Sequence, residues 1–215
     1  MTATRDRHAA PATRGRLIHL AAGYDLLVWL FFAGRERAFR GRLVRLARLE
    51  PGESVLDIGC GTGSLAIAAK GRVGPSGSVH GLDASPEMVA RARKKAGRAG
   101  VDVAFTTGVV EALPFPDASF DAVSSTLMLH HLPRAAREAC AREIRRVLKP
   151  GGRVLAVDFG RPAAGRKKNL VEHLHRHGGV DLQDIVRLLG EAGLEIVESG
   201  PVGLWSLNFV LATSP

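Results

Sequence analysis

The chain has 215 residues, enough for one domain or at most two, and enough to bury a substantial core. Its 46% hydrophobic and 24% charged residues match a globular protein, and its two distant cysteines, Cys60 and Cys140, exclude a disulfide framework or a cysteine metal cluster. The formal charge of +9 allows an acidic partner, but the arginines are spread along helix-like stretches such as 35–48 and 134–146, which reads as solvated helix surface. A reducing, cytoplasmic setting is the simplest reading of so few cysteines.

Residues 1–13 are polar, carry Pro11 and show no periodicity, so they read as a disordered tail. Residues 14–50 read as helical with a break near Gly34. Within them, 17–34 ("LIHLAAGYDLLVWLFFAG") is the one stretch that suggests a membrane. His19 and Asp25 interrupt it and Arg35, Glu36 and Arg37 follow at once. A charge at mid-span is costly in a bilayer, so a helical lid packed on the domain is the better reading.

Pro51-Gly52 makes a turn, and from there the pattern alternates. Strands are expected at 54–58, 78–83, 101–107, 120–126, 153–160, 194–200 and 207–213. Helices are expected at 63–71, 85–100, 133–148 and 180–192. Ser85 is placed as an N-cap with Pro86 in the first turn and Gly100 at the end; Lys149-Pro150-Gly151-Gly152 reads as a stop. Residues 161–179 lack strand character. His173, His175 and His177 alternate there at a spacing that suits a solvated or lid loop better than a metal site, so no metal is expected.

Strands alternating with helices predict a doubly wound α/β fold, a mostly parallel seven-stranded sheet with helices on both faces. The link between the last two strands is too short for a helical crossover, so the last strand should run antiparallel.

The chemistry concentrates at "VLDIGCGTG" (55–63). A glycine-rich turn after the first strand lets a ligand approach the backbone closely, and the following helix start offers N–H donors. Gly61-x-Gly63-x-x-Ala66 fits the dinucleotide fingerprint, which alone is weak. Asp57 sharpens it: a carboxylate there is a poor neighbour for a pyrophosphate and suits a ligand with an ammonium group and a sulfonium. Asp83 ends the second strand, where an acid can accept from two ribose hydroxyls. Its alternative role, a helix cap, is one that Ser85 can fill.

Five blocks follow in order: "VLDIGCGTGSLA", "VHGLDASPEMVARAR", "GVVEALPFPDASFDAV", "LMLHHLP" and "EIRRVLKPGGRVLAVDFG". Together they resemble class I S-adenosylmethionine-dependent methyltransferases, and most closely the type 11 small-molecule group that includes ubiquinone and menaquinone biosynthesis enzymes. The blocks cover residues 55–160, about half the chain. The resemblance implies an S-adenosylmethionine-binding methyltransferase domain over 51–215. It implies that Gly59, Cys60, Gly61 and Gly63 line the methionine part of the cofactor and that Asp83 holds the ribose. Ala84 and Met88 should flank the adenine, with Val109 and Val110 near it, and Ser125 and Thr126 should face the sulfur side. Tyr24, with Asp25, resembles a pair that covers the cofactor's mouth in relatives. One departure stands out: Val109 occupies the place of a common acid that accepts from the adenine amino group.

Methyl transfer from a sulfonium is an in-line displacement in which positioning supplies much of the catalysis. No catalytic dyad is evident in the sequence; His131, in "HHL", is the candidate base, set against a purely structural turn. The apolar N-terminal segment favours a small apolar acceptor such as a quinone precursor or a lipid, with nucleic acid a lesser option and no stable membrane insertion. Two other readings are carried: an NAD-type oxidoreductase on a similar sheet, and a non-catalytic S-adenosylmethionine-binding protein, for which Val109 is the best support.

Overall fold

The computed structural model describes residues 35–160, 180–203 and 206–215. The elements are α1 (Glu36–Leu46), β1 (Ser54–Ile58), α2 (Ser64–Val73), β2 (Ser78–Asp83), α3 (Pro86–Ala99), β3 (Ala104–Thr107) and β4 (Phe120–Thr126). A 3-10 turn (Leu129–His131), α4 (Arg134–Val147), β5 (Leu148–Phe159), α5 (Leu182–Glu191), β6 (Glu195–Pro201) and β7 (Leu207–Thr213) follow. The sheet has seven strands in the order β3-β2-β1-β4-β5-β7-β6. The pairs from β3 through β5 are parallel, and β7 runs antiparallel to both β5 and β6, as the short final link requires.

Strand alternation divides the core into two layers. In β1, Val55 packs with Phe39, Leu43 and Val44 of α1 and with α2 and α3. Its neighbours Leu56 and Ile58 face the other way, toward Ile144 and Val147 of α4 and Ile185 and Leu189 of α5. The run of apolar residues in β1, β4 and β5 is therefore that of strands covered on both faces.

Two boundaries differ from the sequence expectation. The Lys149–Gly152 stretch does not stop the helix outside the sheet but lies inside β5, where the pairing with β4 jumps from Phe120↔Leu148 to Ala122↔Arg153. The extra residues form a bulge, with Gly151 at φ 74 and Lys149 Nζ donating to both Asp121 oxygens at 2.8 Å. The third strand begins at Ala104, because Val101 N–H turns back to Ala96 O and closes the end of α3. The start of that helix is as expected: Ser85 Oγ accepts from Met88 N–H at 3.3 Å, and Gly100 ends it at φ 63.

The tail at 1–13, most of the proposed lid, Tyr24 and the histidines at 173, 175 and 177 lie outside the described residues. Among the described residues no helix is long and apolar enough to cross a membrane, and no group of side chains could hold a metal ion. Cys60 is half-buried and Cys140 buried, and both are free thiols whose pKa burial pushes up.

Candidate active site

In an open α/β sheet, ligands bind where the strand order reverses, beyond the carboxyl ends of the strands. Here that point lies between β1 and β4. The residues after β1 form the glycine turn, with Gly59, Gly61 and Gly63 at φ 65, 53 and 78. These left-handed angles are what make glycine necessary at three alternate positions. Gly63 carries a second constraint: a Cβ there would stand 2.7 Å from the Phe105 ring and 2.9 Å from Ala92. A Cβ at Gly59 would strike the Met128 side chain.

The backbone donors of this turn are largely spoken for inside the protein. Cys60 N–H donates to Leu82 O at 3.0 Å and Gly63 N–H to Cys60 O at 2.9 Å. Gly61 N–H donates to Asp83 Oδ2 at 2.8 Å, and Ser85 N–H donates to Asp83 Oδ1 at 2.9 Å. Asp83 is thus not released from local work by the Ser85 cap; it ties the turn after β1 to the helix start after β2. Each carboxylate oxygen keeps capacity for a further donor. Burial raises its pKa, against the pull of these backbone N–H groups.

Asp57, in β1, is 2% exposed. Ser124 Oγ on neighbouring β4 donates to its Oδ1 at 2.8 Å, while Oδ2 makes no hydrogen bond among the described residues. Burial pushes its pKa up to about 6, with the Ser124 hydroxyl, the Arg40 charge and the Ala66 backbone N–H opposing. Together with Arg40, Gly59, Gly61, Thr126 and Leu127 it lines one cavity. Leu127 takes φ 56, unusual for a non-glycine residue and a mark of local strain at the cavity wall.

Ser125 and Thr126 part company. Alternation along β4 aims Ser124 and Thr126 at the Asp57 side and Ser125 at the other; both Ser125 Oγ and Thr126 Oγ1 are buried without a hydrogen-bond partner among the described residues. Ala84 is half-buried and Met88 is 2% exposed. Val109 and Val110 are buried too, in a segment held to α4 from outside: Glu143 accepts Leu113 N–H at 2.7 Å, and Arg146 donates to Leu113 O at 3.0 Å and Phe115 O at 2.8 Å.

The turn after β4 yields a pair that sequence reading missed. His130, not His131, meets Asp158 at the end of β5, with Nδ1 donating to Oδ1 at 2.6 Å and the His130 N–H to Oδ2 at 3.1 Å. Phe159 N–H adds a third bond to Asp158 at 2.8 Å. His131 is half-buried, its ring centroid 3.9 Å from that of His130. Asp158 is the third acid at a strand's carboxyl end, and that topological position was its one signal in the sequence. Arg40 and Glu36 were missed because α1 had been read as part of a cover.

Residues 55–152 match the family described as methyltransferase domain. Those residues hold both acids of the glycine turn and all three glycines. Over that span the chain is similar to a methyltransferase domain. This domain and its flanks are 40% identical, over 146 residues, to a demethylmenaquinone methyltransferase of Thermus thermophilus, covering 68% of this chain and 65% of that one. The chain thus spans less than two thirds of the length of the curated relatives it matches, from 65% of the Thermus enzyme down to 56% of a ubiquinone/menaquinone biosynthesis C-methyltransferase of Bordetella avium. In fold it is similar to a methyltransferase from Aquifex aeolicus (TM-score 0.70, 22% identity, 82% of this chain and 89% of that chain). It is equally similar to a [4+2]-cyclase (TM-score 0.69, 22% identity, 81% and 80%), so the domain's architecture alone does not select the chemistry.

Proposed function

We propose that the chain transfers a methyl group from S-adenosylmethionine to a small apolar acceptor of quinone type. The observation that carries this reading is the pair of acids beside the glycine turn, Asp57 buried in β1 and Asp83 half-buried at the end of β2. Asp57 offers an unengaged carboxylate oxygen in the cavity, suited to an ammonium group, and Asp83 stands where ribose hydroxyls are received. A pyrophosphate would meet Asp57 as a like charge, which disfavours the NAD-type oxidoreductase. The cofactor supplies an electrophilic methyl group on a good leaving group; the protein's share is to hold it, exclude water and aim it. Gly59, Gly61 and Asp57 would hold the methionine end, and Asp83, Ala84, Met88 and Val109 the adenosine end. Apolar burial of adenine by Val109 and Met88 replaces the usual acid.

The quinone-type acceptor rests on the name of the Thermus relative and on the apolar run at 17–34. Residues 14–50 are proposed as the lid, with Tyr24 as part of it. His131 is proposed as the base where the acceptor must lose a proton, with His130 and Asp158 fixing the turn it stands on. A cytoplasmic setting belongs to the same proposal.

Calorimetric titration with S-adenosylhomocysteine and with NADH is the first test, followed by incubation with S-adenosylmethionine and a short-chain demethylnaphthoquinol and mass analysis of the product. Binding of the homocysteine compound alone and a product heavier by one methylene are expected. Binding without product for any quinol would leave the non-catalytic reading in its place, and binding of NADH alone would overturn both. His131→Asn should lower turnover by about 10²–10⁴-fold with cofactor affinity unchanged.

A further inference from the structure

The two covered faces of the sheet differ in charge. The helices α1, α2 and α3 pack on the Val55 side, and α4 and α5 on the Leu56 side. The first three carry eleven basic residues and two acidic ones; the other two carry six and four. Pairing widens the difference. On the α4 and α5 side, Arg134 pairs with Glu138 at 2.8 Å, Arg146 with Asp117 at 2.7 Å, and Arg187 with Asp184. On the other side, Arg37, Arg42 and Arg45 of α1 and Lys94 and Arg98 of α3 are exposed and form no ion pair among the described residues. Phe39, Leu43 and Val44 take the inner side of α1, so the helical period turns these arginines outward. Like charges gathered in this way repel one another, and an anionic surface laid against them relieves that repulsion.

We propose that the side bearing α1, α2 and α3 docks on an anionic lipid bilayer, reversibly and without spanning it. Two features select lipid among polyanions. The sequence directly before Arg35 is the apolar run 17–34, with Trp29, Phe31 and Phe32 near its end. An apolar segment beside a basic patch supplies the two signals that attachment to an anionic bilayer needs. The start of α1 also walls the candidate cavity, which Glu36 and Arg40 line with Asp57, Gly59 and Gly61. A helix that both lies on lipid and walls this cavity brings its mouth to where an apolar acceptor dissolves. That orientation, unlike the docking itself, rests on the proposed transfer to an apolar acceptor.

The experiment is co-sedimentation of the full chain with vesicles of phosphatidylcholine alone and of phosphatidylcholine mixed with phosphatidylglycerol. Binding to the anionic vesicles only is expected, and it should be lost as salt is raised to about 0.5 M. A basic residue near such a surface is worth about fivefold in affinity, so the triple variant Arg37→Gln, Arg42→Gln, Arg45→Gln should bind about 100-fold more weakly. Lys94→Gln with Arg98→Gln should bind about 25-fold more weakly, a second reading should the triple variant fail to fold in thermal melts. The control triple Arg134→Gln, Arg142→Gln, Arg145→Gln removes the same charge from the other side and should lose less than about fivefold. Equal losses in the two triples overturn the proposal, because net charge alone would then govern binding. So does equal binding to neutral vesicles, or tighter binding to duplex DNA than to anionic vesicles at the same salt. Titration of the same sample with S-adenosylhomocysteine separates the two readings. Vesicle binding without cofactor binding would sink the methyl transfer and leave the docking standing; cofactor binding without vesicle binding would sink the docking alone.

Discussion

Two buried acids stand at the carboxyl edge of the sheet on opposite faces, and they are built for opposite ends. Asp158 faces α4 and α5 and accepts three donors, two from His130 and one from Phe159. Its hydrogen-bonding needs are met from within, and what it does is fix the turn after β4. Asp57 faces α1, accepts Ser124 Oγ on one oxygen, and keeps the other unengaged among the described residues, with its pKa raised by burial. Ser124, the Arg40 charge and the Ala66 N–H offset only part of the cost of burying this carboxylate, and the remaining cost makes sense where a cation is to arrive. Satisfaction, rather than burial or position, separates the acid that holds the protein from the acid proposed to hold a ligand.

The hardest blow to this contrast is on the Asp158 side. Asp158→Ala strips three donors of their acceptor and should destabilise the fold by about 3–5 kcal/mol in urea unfolding. Affinity for S-adenosylhomocysteine should move little in the variant, provided it is measured below its melting temperature. A variant of normal stability would make Asp158 functional rather than structural.

The glycine turn tests whether backbone conformation or side-chain chemistry dominates the other side. Gly63→Ala meets both a left-handed φ and the Phe105 and Ala92 contacts, and should cost about 2–4 kcal/mol of stability. Retention of native stability would mean that the turn can be rebuilt without glycine there.

A smaller effect is expected where a ligand contact is removed. Asp83→Ala should weaken S-adenosylhomocysteine binding by about 1.5–3 kcal/mol by calorimetry. It also deprives Gly61 and Ser85 N–H of their acceptor, so Asp83→Asn, which keeps an oxygen, should bind more tightly than the alanine variant. Native affinity in Asp83→Ala would remove the residue from the site.

The last test is the mildest and addresses Asp57 directly. A cationic group binds the ionised carboxylate, so protonation competes with it. With a pKa of about 6 in the ligand-free protein, affinity should be flat above that value and fall as pH drops through it, to about tenfold weaker at pH 5. For the fold itself the sign is reversed. The pKa lies above its unfolded value, so the protonated form is favoured in the folded chain, and stability contributed by this group declines as pH rises from about 4 to 6. Asp57→Asn should flatten the binding profile; a profile that keeps its slope would assign the titration elsewhere.

The same contrast explains what could be read in the one-dimensional chain. Gly59, Gly61 and Gly63 were legible because positive φ restricts the residue type, and Asp83 because it follows an apolar strand and precedes a capped helix. The antiparallel last strand was legible from the shortness of the link before it. Asp158 and Arg40 were not, because each depends on what the fold brings opposite: a histidine from the turn after β4, and a carboxylate from β1 beneath a helix. No spacing rule couples residues 40 and 57, or 130 and 158. The bulge at Lys149–Gly152 was misread for a related reason. Pro-Gly-Gly resembles a stop until a sheet neighbour, with Asp121 ready for Lys149, absorbs the surplus residues.

The pairing at the start of β5 has a practical side. Gly151 N–H donates to Ser214 O at 2.9 Å and Ser214 N–H to Gly152 O at 2.7 Å, so the final residues are stitched to the bulge at the edge of the sheet opposite the glycine turn. A tether or fluorophore attached after Pro215 would therefore leave from the far end of the molecule. A chip-bound sample anchored there would present its ligand mouth to the flowing solution rather than to the matrix.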